Sequence, residues 1–158
     1  MEELAPRLGE RLKRAGALLG AAESCTGGWA AQVVTSVAGS SAWFERGFVT
    51  YSNDAKREML GVRPETLATH GAVSEETACE MARGALARSR ASVALAITGV
   101  AGPGGGSADK PVGMVCFAWA SADRVRSETR HFSGDRKSVR EQSVARALEG
   151  VLEHLERG

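Results

Sequence analysis

The 158-residue sequence has few aromatic residues, no long apolar run and almost no net charge. Its formal charge of +1 comes without a long basic run, so nothing indicates a nucleic-acid backbone or a membrane surface as a partner. Aromatic residues make up 5% of the chain and are scattered, which argues against a platform for stacking bases. The longest apolar run, Met114 to Ala120, is far too short to cross a bilayer.

The sequence is also poor in cysteine and in potential metal ligands. The three cysteines, Cys25, Cys79 and Cys116, are odd in number and lack metal-ligand spacing, so reduced thiols in a cytoplasmic protein are expected. The three histidines are isolated, and neither His-x-x-x-His nor Cys-x-x-Cys occurs, so neither a metal site nor another cofactor is expected. The acidic start, residues 1–3, has no apolar core of the kind that a signal peptide carries.

Helical and strand patterns alternate along the chain. This order predicts one domain over residues 1–158, a single three-layer α/β/α domain with a mixed, mostly parallel sheet. The predicted strands Gly113–Ala120 and Ser127–Phe132 follow one another through a polar turn at Asp123. We therefore expect them to form an antiparallel pair on an otherwise parallel sheet.

One strand-to-helix turn is rich in small residues. The apolar run Ala17–Ala22 is typical of a buried strand, and a helical pattern follows the turn. Ser24 thus comes at the carboxyl end of a strand, where open α/β sheets bind ligands. We predict that Ser24 is a nucleophile and that N–H groups near Thr26, Gly27 and Gly28 hold a phosphate or a developing oxyanion. The alternative is that Ser24 and Thr26 only cap the helix.

Cys25 is a competing nucleophile in the same turn. A cysteine nucleophile needs a histidine base, but His70 and His131 have no local signature. His154 lies late on the last predicted helix, where we expect it to be solvated. A small buried thiol is therefore the expected state of Cys25.

Tyr51 and Lys56 flank the connection from a second predicted strand, Gly47–Tyr51, to a predicted helix, Asp54–Leu60. Both side chains are expected to lean over the sheet edge toward Ser24. Lys56 can act as a base only if burial or a nearby cation lowers its pKa well below about 10.4. The alternative is a solvated Lys56 and a packed Tyr51.

A second ligand-binding signal is the loop from Thr98 to Pro111, which follows a predicted buried strand. Its glycines let backbone N–H groups approach a ligand closely, and the candidate residues are Thr98, Gly99, Gly102, Gly105 and Gly106. The loop is not a Walker A motif, because no Lys-Ser/Thr follows its last glycine. It is not a Rossmann fingerprint either, because a strand comes next. The alternative is an exposed loop without a ligand.

Two arginines near the start of the last predicted helix are candidate phosphate ligands. Arg136 follows the expected cap residue Asp135, and Arg140 comes one turn later on the same face. A guanidinium can bind a phosphate through two parallel hydrogen bonds. The alternative is that both arginines face solvent.

Four stretches together resemble one family. They are Ala22–Gly28, Gly39–Asn53, Gly71–Glu75 and Thr98–Gly113. In this order they resemble the C-terminal domain of the competence/damage-inducible protein CinA, in its stand-alone form. The resemblance implies hydrolysis of nicotinamide mononucleotide to nicotinate mononucleotide and ammonia, within pyridine-nucleotide salvage. It also implies a serine nucleophile assisted by a tyrosine and a lysine, which fall on Ser24, Tyr51 and Lys56, and it makes a homodimer plausible.

The residues and the resemblance together predict a mechanism. Neutral Lys56, directly or through Tyr51, accepts the Ser24 proton, and Ser24 attacks the carboxamide carbon. Amides of the Cys25–Gly28 turn hold the oxyanion, while the glycine loop and Arg136 bind the ribose phosphate of this small-molecule substrate. Two alternatives stay open: a nucleotide-binding regulatory module without turnover, and a cysteine-dependent hydrolase.

Overall fold

The computed structural model describes residues 1–157, in which helices and strands alternate. The helices are α1 (Leu4–Ala15), α2 (Trp29–Thr35), α3 (Asn53–Leu60), α4 (Pro64–His70), α5 (Glu75–Ala87) and α6 (Arg136–Arg157). The strands are β1 (Leu19–Glu23), β2 (Phe44–Val49), β3 (Val93–Gly99), β4 (Met114–Ser121) and β5 (Arg124–His131). Among these helices, none combines the length and the apolar composition needed to cross a membrane.

Capping side chains fix the starts of several helices. Ser74 caps α5 and Asp135 caps α6, each by accepting a hydrogen bond from a backbone N–H three residues later. The cap at Asp135 confirms the sequence prediction. Ser52 does the same for α3, so this helix begins at Asn53, one residue before the predicted Asp54. Local side-chain chemistry thus determines where the helices near the candidate site begin.

The five strands within residues 1–157 form one sheet in the order β2-β1-β3-β4-β5. β1 pairs in parallel with β2 and with β3. β4 pairs antiparallel with both β3 and β5, so β4 runs opposite to the other strands of the sheet. The predicted α/β fold with a mixed, mostly parallel sheet is confirmed.

Helices cover both faces of the sheet. α1, α2 and α6 pack on one face, and their buried residues there include Leu8, Leu12, Val34, Val144 and Leu148. α5 covers the other face with a stripe of Ala78, Met81, Ala82 and Ala85. Alternate residues of β1 face the two layers, since Ala21 packs in the core on the side of α1, α2 and α6, and Ala22 packs on the side of α5. This alternation follows from the two-residue period of a strand, and it completes the three-layer arrangement.

The edge strand β2 starts three residues and ends two residues earlier in the chain than predicted. The aromatic and β-branched run predicts a strand that starts at Gly47, whereas β2 spans Phe44–Val49. The pairing with β1 ends where Val49 lies opposite Glu23, and the chain then leaves the sheet to start α3. Tyr51 therefore lies outside the sheet, and the residue is 62% exposed.

One edge of the sheet collects the segments that carry the predicted site residues. β1, β2 and β3 end at this edge, and the antiparallel β4 begins there. Ser24 follows β1, Tyr51 follows β2, and the glycine loop follows β3. In open α/β sheets the carboxyl ends of parallel strands are where ligands bind, so the topology brings these segments to one place.

Candidate active site

Ser24 lies in a tight turn between β1 and α2. Its N–H donates to the Ile97 carbonyl of β3 at 3.0 Å, and the Gly27 N–H closes the turn by donating to the Ser24 carbonyl at 3.0 Å. Gly27 and Gly28 have φ angles of 58° and 102°, in the left-handed region that favours glycine. The two glycines therefore let the chain enter α2 directly after the buried serine.

Lys56 contacts Ser24 directly. Its Nζ atom lies 2.9 Å from Ser24 Oγ and donates to the carbonyls of Thr50 at 2.9 Å and Tyr51 at 3.4 Å. The side chain is buried, with 1% of the residue exposed, so the alternative of a solvated Lys56 is wrong. Burial lowers the pKa of Lys56 below its ordinary value, so a larger fraction of the amine is neutral at a given pH.

Glu23, the last residue of β1, holds the turn from inside the protein. Its buried carboxylate accepts hydrogen bonds from the Thr26 hydroxyl at 2.7 Å and from the N–H groups of Gly28 at 3.2 Å, Ala30 at 2.9 Å and Ala31 at 3.0 Å. The first N–H groups of a helix have no partner within the helix. Here a side chain from the preceding strand supplies the partners for α2.

Because of these contacts, the N–H groups that are free to bind a ligand differ from the predicted ones. The sequence predicts those near Thr26, Gly27 and Gly28, but Gly27 and Gly28 donate theirs to oxygen atoms of residues 23 and 24. In the described part of the chain, the N–H groups of Cys25 and Thr26 have no protein acceptor. The candidate oxyanion donors are therefore Cys25 and Thr26, while the glycines shape the turn.

Arg140 holds the same turn from the side of α6. Its Nε donates to the Cys25 carbonyl at 3.0 Å and its Nη2 to the Thr26 carbonyl at 3.1 Å. The guanidinium carbon also lies 5.3 Å from the centroid of the Trp29 ring, within the range of a cation–π contact. The predicted phosphate contact of Arg140 is corrected accordingly, because these donors bind the backbone of the turn.

Tyr51 and Arg136 form a bridge at the mouth of the site. Arg136 Nη2 donates to the Tyr51 hydroxyl oxygen at 3.2 Å, and Arg136 Nη1 donates to the Gly102 carbonyl at 2.8 Å. Tyr51 therefore offers its hydroxyl to Arg136 and its backbone carbonyl to Lys56. The alternative of a packed Tyr51 is wrong, since the side chain is exposed.

A cavity of about 310 Å³ opens beside Ser24. The predicted site residues that line it are Ser24, Tyr51, Lys56, Thr98, Gly99, Gly102, Gly105 and Arg136. The predicted residues outside its lining are Thr26, Gly27, Gly28 and Gly106. The charged residues of the lining are Lys56 and Arg136, with no Asp or Glu among the lining residues. The Arg136 guanidinium stays charged and has no carboxylate beside it in this lining, which favours an anionic ligand.

Gly106 has a packing role within the loop. A Cβ at this position would lie 2.8 Å from the Val112 nitrogen, closer than real Cβ atoms approach other heavy atoms, so the two limbs of the loop need glycine there. At the base of the loop, the Val100 N–H donates to the Met114 carbonyl at 2.9 Å and the Gly113 N–H to the Val100 carbonyl at 2.7 Å. The loop is thus closed at its root by backbone hydrogen bonds.

Sequence reasoning missed part of the lining. Asn53, Ala72 and Val73 also border the cavity. The signal for Ala72 and Val73 is the Gly71–Glu75 stretch, which the family resemblance includes without giving it a role. The Thr98 hydroxyl donates to the Ala72 carbonyl at 2.8 Å and so holds this stretch against the end of β3. No local pattern distinguishes Asn53 from an ordinary residue at a helix start.

Cys25 has no histidine partner at the site. No histidine lines the cavity, and His154 is buried, not solvated as predicted, with Nε2 lying 2.9 Å from Ser121 Oγ. The expected buried state of Cys25 is confirmed. Burial raises the pKa of its thiol to about 11, which disfavours the thiolate nucleophile. In residues 1–157, no group of three or more His, Cys, Asp and Glu side chains is placed to hold a metal ion.

The sequence was compared with models of known protein families to identify the family of this domain. The sequence model of the CinA C-terminal domain matches residues 1–155. The chain belongs to the CinA C-terminal domain family. The resemblance deduced from the four sequence stretches is confirmed.

Named relatives share this CinA C-terminal domain at high identity. The chain is similar to the nicotinamide-nucleotide amidohydrolase PncC of Escherichia coli K12, with 60% identity over 155 residues that cover 97% of this chain and 93% of that protein. It is similar to PncC of Pseudomonas putida, with 55% identity over 150 residues, or 95% and 94% of the two chains. A solved CinA superfamily protein of Klebsiella pneumoniae superimposes with a TM-score of 0.96 at 41% identity, over 99% of this chain and 98% of that one.

Proposed function

We propose that the protein hydrolyses the carboxamide of nicotinamide mononucleotide to give nicotinate mononucleotide and ammonia. Two relatives that align over at least 93% of both chains are named as nicotinamide-nucleotide amidohydrolases. The observation that carries the proposal is the 2.9 Å distance between Lys56 Nζ and Ser24 Oγ. It supports a serine nucleophile with an adjacent base, which is what covalent amide cleavage needs.

The first step is proton transfer from Ser24 to neutral Lys56. A neutral amine can donate its N–H groups to the Thr50 and Tyr51 carbonyls and direct its lone pair at the serine hydroxyl. The lowered pKa of Lys56 supports this assignment, because it increases the neutral fraction at a given pH. As the proton moves to Nζ, the bond from Oγ to the carboxamide carbon forms.

The tetrahedral intermediate then collapses to an acyl-enzyme. The carbon–nitrogen bond breaks, Lys56 returns its proton to the leaving nitrogen, and ammonia departs. A water molecule next attacks the ester carbon and gives a proton to Lys56. The bond to Oγ breaks, Ser24 recovers that proton, and nicotinate mononucleotide is released.

The N–H groups of Cys25 and Thr26 are the proposed oxyanion donors. They belong to the two residues that follow Ser24, and neither has an acceptor in the described chain. Donors that are fixed before the reaction need no reorganisation when negative charge develops on the carbonyl oxygen. In other enzymes one such donor contributes about 2.7–4 kcal/mol to the transition state.

Arg136 and the glycine loop are proposed to bind the ribose phosphate. Arg136 is a cation of the lining and lies at the cavity mouth beside Tyr51 and Gly102. N–H groups of Gly99, Gly102 and Gly105 would add donors for the phosphate oxygens. Tyr51 then assists by holding Arg136, while Lys56 takes the proton. We assign the reaction to pyridine-nucleotide salvage in the cytoplasm, and the homodimer stays a prediction.

The substitution Ser24→Ala tests the nucleophile. It removes the attacking oxygen, so we expect kcat for ammonia release from nicotinamide mononucleotide to fall by about a thousandfold or more. The fold should be retained, because alanine fits the space of serine. An enzyme-coupled ammonia assay and circular dichroism measure the two properties.

The matched variant in the same turn is Cys25→Ala, which removes the competing nucleophile and keeps the backbone N–H. It should still release ammonia. Activity in Ser24→Ala together with an inactive Cys25→Ala would establish a cysteine-dependent hydrolase instead. Calorimetric binding of the nucleotide without any ammonia from the unmodified protein would establish the non-catalytic module.

A further inference from the structure

The nucleophile turn is held through its carbonyl groups. The Ser24 carbonyl accepts from the Gly27 N–H, and the Cys25 carbonyl accepts from Arg140 Nε. A trans peptide is planar, so its C=O and N–H bonds point in opposite directions. Fixing the Ser24 and Cys25 carbonyls therefore fixes the directions of the Cys25 and Thr26 N–H groups.

Glu23 fixes the turn at its other end. One carboxylate oxygen accepts from the Thr26 hydroxyl and from the N–H groups of Gly28 and Ala30, and the second accepts from the Ala31 N–H. The hydroxyl contact lies inside the turn, whereas the N–H contacts lie at the start of α2. Glu23 thus joins the strand, the turn and the helix through one side chain.

This carboxylate is a costly way to start a helix. A buried charge is strongly unfavourable unless its hydrogen bonds are complete, and a serine or asparagine would cap α2 without any charge. Hydrogen bonds to an ionised carboxylate are shorter and stronger than those to a neutral acceptor. The N-terminal end of a helix also stabilises negative charge. What the carboxylate adds over a neutral cap is a more rigid turn.

We propose that Glu23 is a positioning residue, which holds the Ser24–Gly28 turn so that the Cys25 and Thr26 N–H groups stay aimed at the reacting oxygen. Arg140 is its partner on the opposite side of the turn. The inference rests on the proposed function, because it gives Glu23 a use in the oxyanion stabilisation of that reaction. Glu23 acts through the turn, since it does not line the cavity.

The test is Glu23→Gln, assayed for steady-state ammonia release from nicotinamide mononucleotide. The amide keeps one oxygen acceptor but puts an NH₂ group against the Ala31 N–H, so the turn loses part of its restraint. Removal of one oxyanion donor lowers kcat about 10²–10³-fold in other enzymes. Misalignment of two donors should lower it at least tenfold, with KM changed less than about threefold. The pH profile of kcat/KM should keep its shape, because Ser24 and Lys56 are untouched.

The control is Glu75→Gln, the same chemical change at a carboxylate that accepts from two hydroxyls, those of Ser127 and Thr129, each at 2.7 Å. Glu75 lies on α5, on the other face of the sheet, and outside the cavity lining. Its kcat per folded molecule should stay within about twofold of the unmodified protein. Folded fractions from urea titration normalise all rates.

A second pair of variants covers the case in which Glu23→Gln does not fold. Thr26→Val removes only the hydroxyl that donates to Glu23, and Thr26→Ser restores a hydroxyl. We expect a lower kcat for the valine variant and recovery in the serine variant. Equal kcat values for the unmodified protein and Thr26→Val, or a Glu23→Gln loss that only follows the folded fraction, would overturn the inference alone. Absence of turnover in the unmodified protein would overturn the proposed function, and the inference with it.

Discussion

At the scale of single residues, Lys56 is central to the proposed chemistry of the site. It is buried, it contacts Ser24, and burial lowers its pKa. A lysine with these properties is costly for the fold, because the unfolded chain binds its proton more readily than the native protein does. The same property favours the neutral amine that the proposed mechanism needs as a base, so that mechanism sets stability against activity at this position.

The substitution Lys56→Met should separate these two effects. We expect ammonia release to fall at least a hundredfold, since general-base catalysis contributes about 10²–10⁴-fold. In the unmodified protein, the free energy of unfolding should rise with pH between the lowered native pKa of Lys56 and the unfolded value of about 10.4, because the unfolded state binds more protons there. The variant should lack this rise, so the stability difference between the two proteins should shift in favour of the unmodified protein as pH increases.

Urea titrations from pH 7 to pH 10 check the sign of this effect. The matched control is Lys13→Met on α1, where the lysine is half-exposed and pairs with Glu10 at 3.2 Å. It should leave the slope of stability against pH unchanged. A slope that survives in Lys56→Met would contradict the assignment of the lowered pKa to this lysine.

The sequence identifies reactive residue types better than it identifies their contacts. Ser24 and Lys56 could be singled out because their neighbours predict a turn and a helix start at one sheet edge. That Glu23 takes the Gly28 N–H, and that Arg140 reaches the Cys25 carbonyl from 115 residues away, depends on atoms that only the folded chain brings together. The hydroxyl of Tyr51 is a similar case, since its partner Arg136 lies 85 residues further along the chain.

At the scale of elements, the position of Lys56 depends on how closely α3 packs against α5. Gly84 of α5 faces the last residue of α3, and a Cβ there would lie 1.9 Å from the Leu60 carbonyl oxygen. The contact is with backbone, so no side-chain rotation can relieve it. Gly84 therefore sets the distance between α3 and α5. Since Lys56 lies on α3, this distance also determines how closely Lys56 approaches Ser24.

We expect Gly84→Ala to lower both stability and turnover. Alanine gains about 1 kcal/mol of helix propensity, but overpacking against the α3 backbone costs about 1–3 kcal/mol, so we expect a net loss of up to about 2 kcal/mol in the free energy of unfolding. Because α3 carries Lys56, kcat per folded molecule should also fall. The exposed neighbour Arg83→Ala on the same helix should change stability by less than about 0.5 kcal/mol. Urea unfolding and the ammonia assay on both variants test this, and a more stable Gly84→Ala would contradict it.

The ends of a helix are predictable from the sequence where a capping residue or a glycine marks them. The ends of a strand that are determined only by pairing with its neighbour are not. Ser74 and Asp135 cap α5 and α6, and α3 ends at the predicted Leu60, where Gly61 adopts the left-handed conformation. The edge strand β2 has a single neighbour, so its length depends on its register with β1 and not on its own composition. The predicted strand included Tyr51, whereas in the structure Tyr51 lies in the exposed connection after β2.

At the scale of the whole molecule, we expect the buried His154 to make the stability of the fold depend on pH in the acid range. The ring is buried beneath β4 and β5, and burial, with nearby arginines, lowers the pKa of His154 to about 4. Between this value and the unfolded value of about 6.5, the unfolded chain binds the extra proton. Stability should therefore fall as pH decreases through that window, by on the order of 3 kcal/mol in total.

The substitution His154→Gln should flatten this acid dependence, because glutamine does not titrate in the window. Thermal or urea unfolding at pH 7, 6, 5 and 4 measures the slope for both proteins. His70→Gln is the control, since that ring is exposed on α4. Identical slopes for the His154→Gln variant and the unmodified protein would show that other groups cause the acid sensitivity.

The reversal of β4 has a consequence for how this enzyme scaffold can vary. β4 starts at the edge where β3 ends, so the two ends of the connecting loop lie close together. Backbone hydrogen bonds among Val100, Gly113 and Met114 hold these ends. The entropic cost of closing such a loop rises by only about 0.6 kcal/mol for each doubling of its length. The exposed residues 107–109 can therefore be replaced by a longer segment that adds new contacts to a ligand, while Gly105, Gly106 and the proposed catalytic groups stay in place.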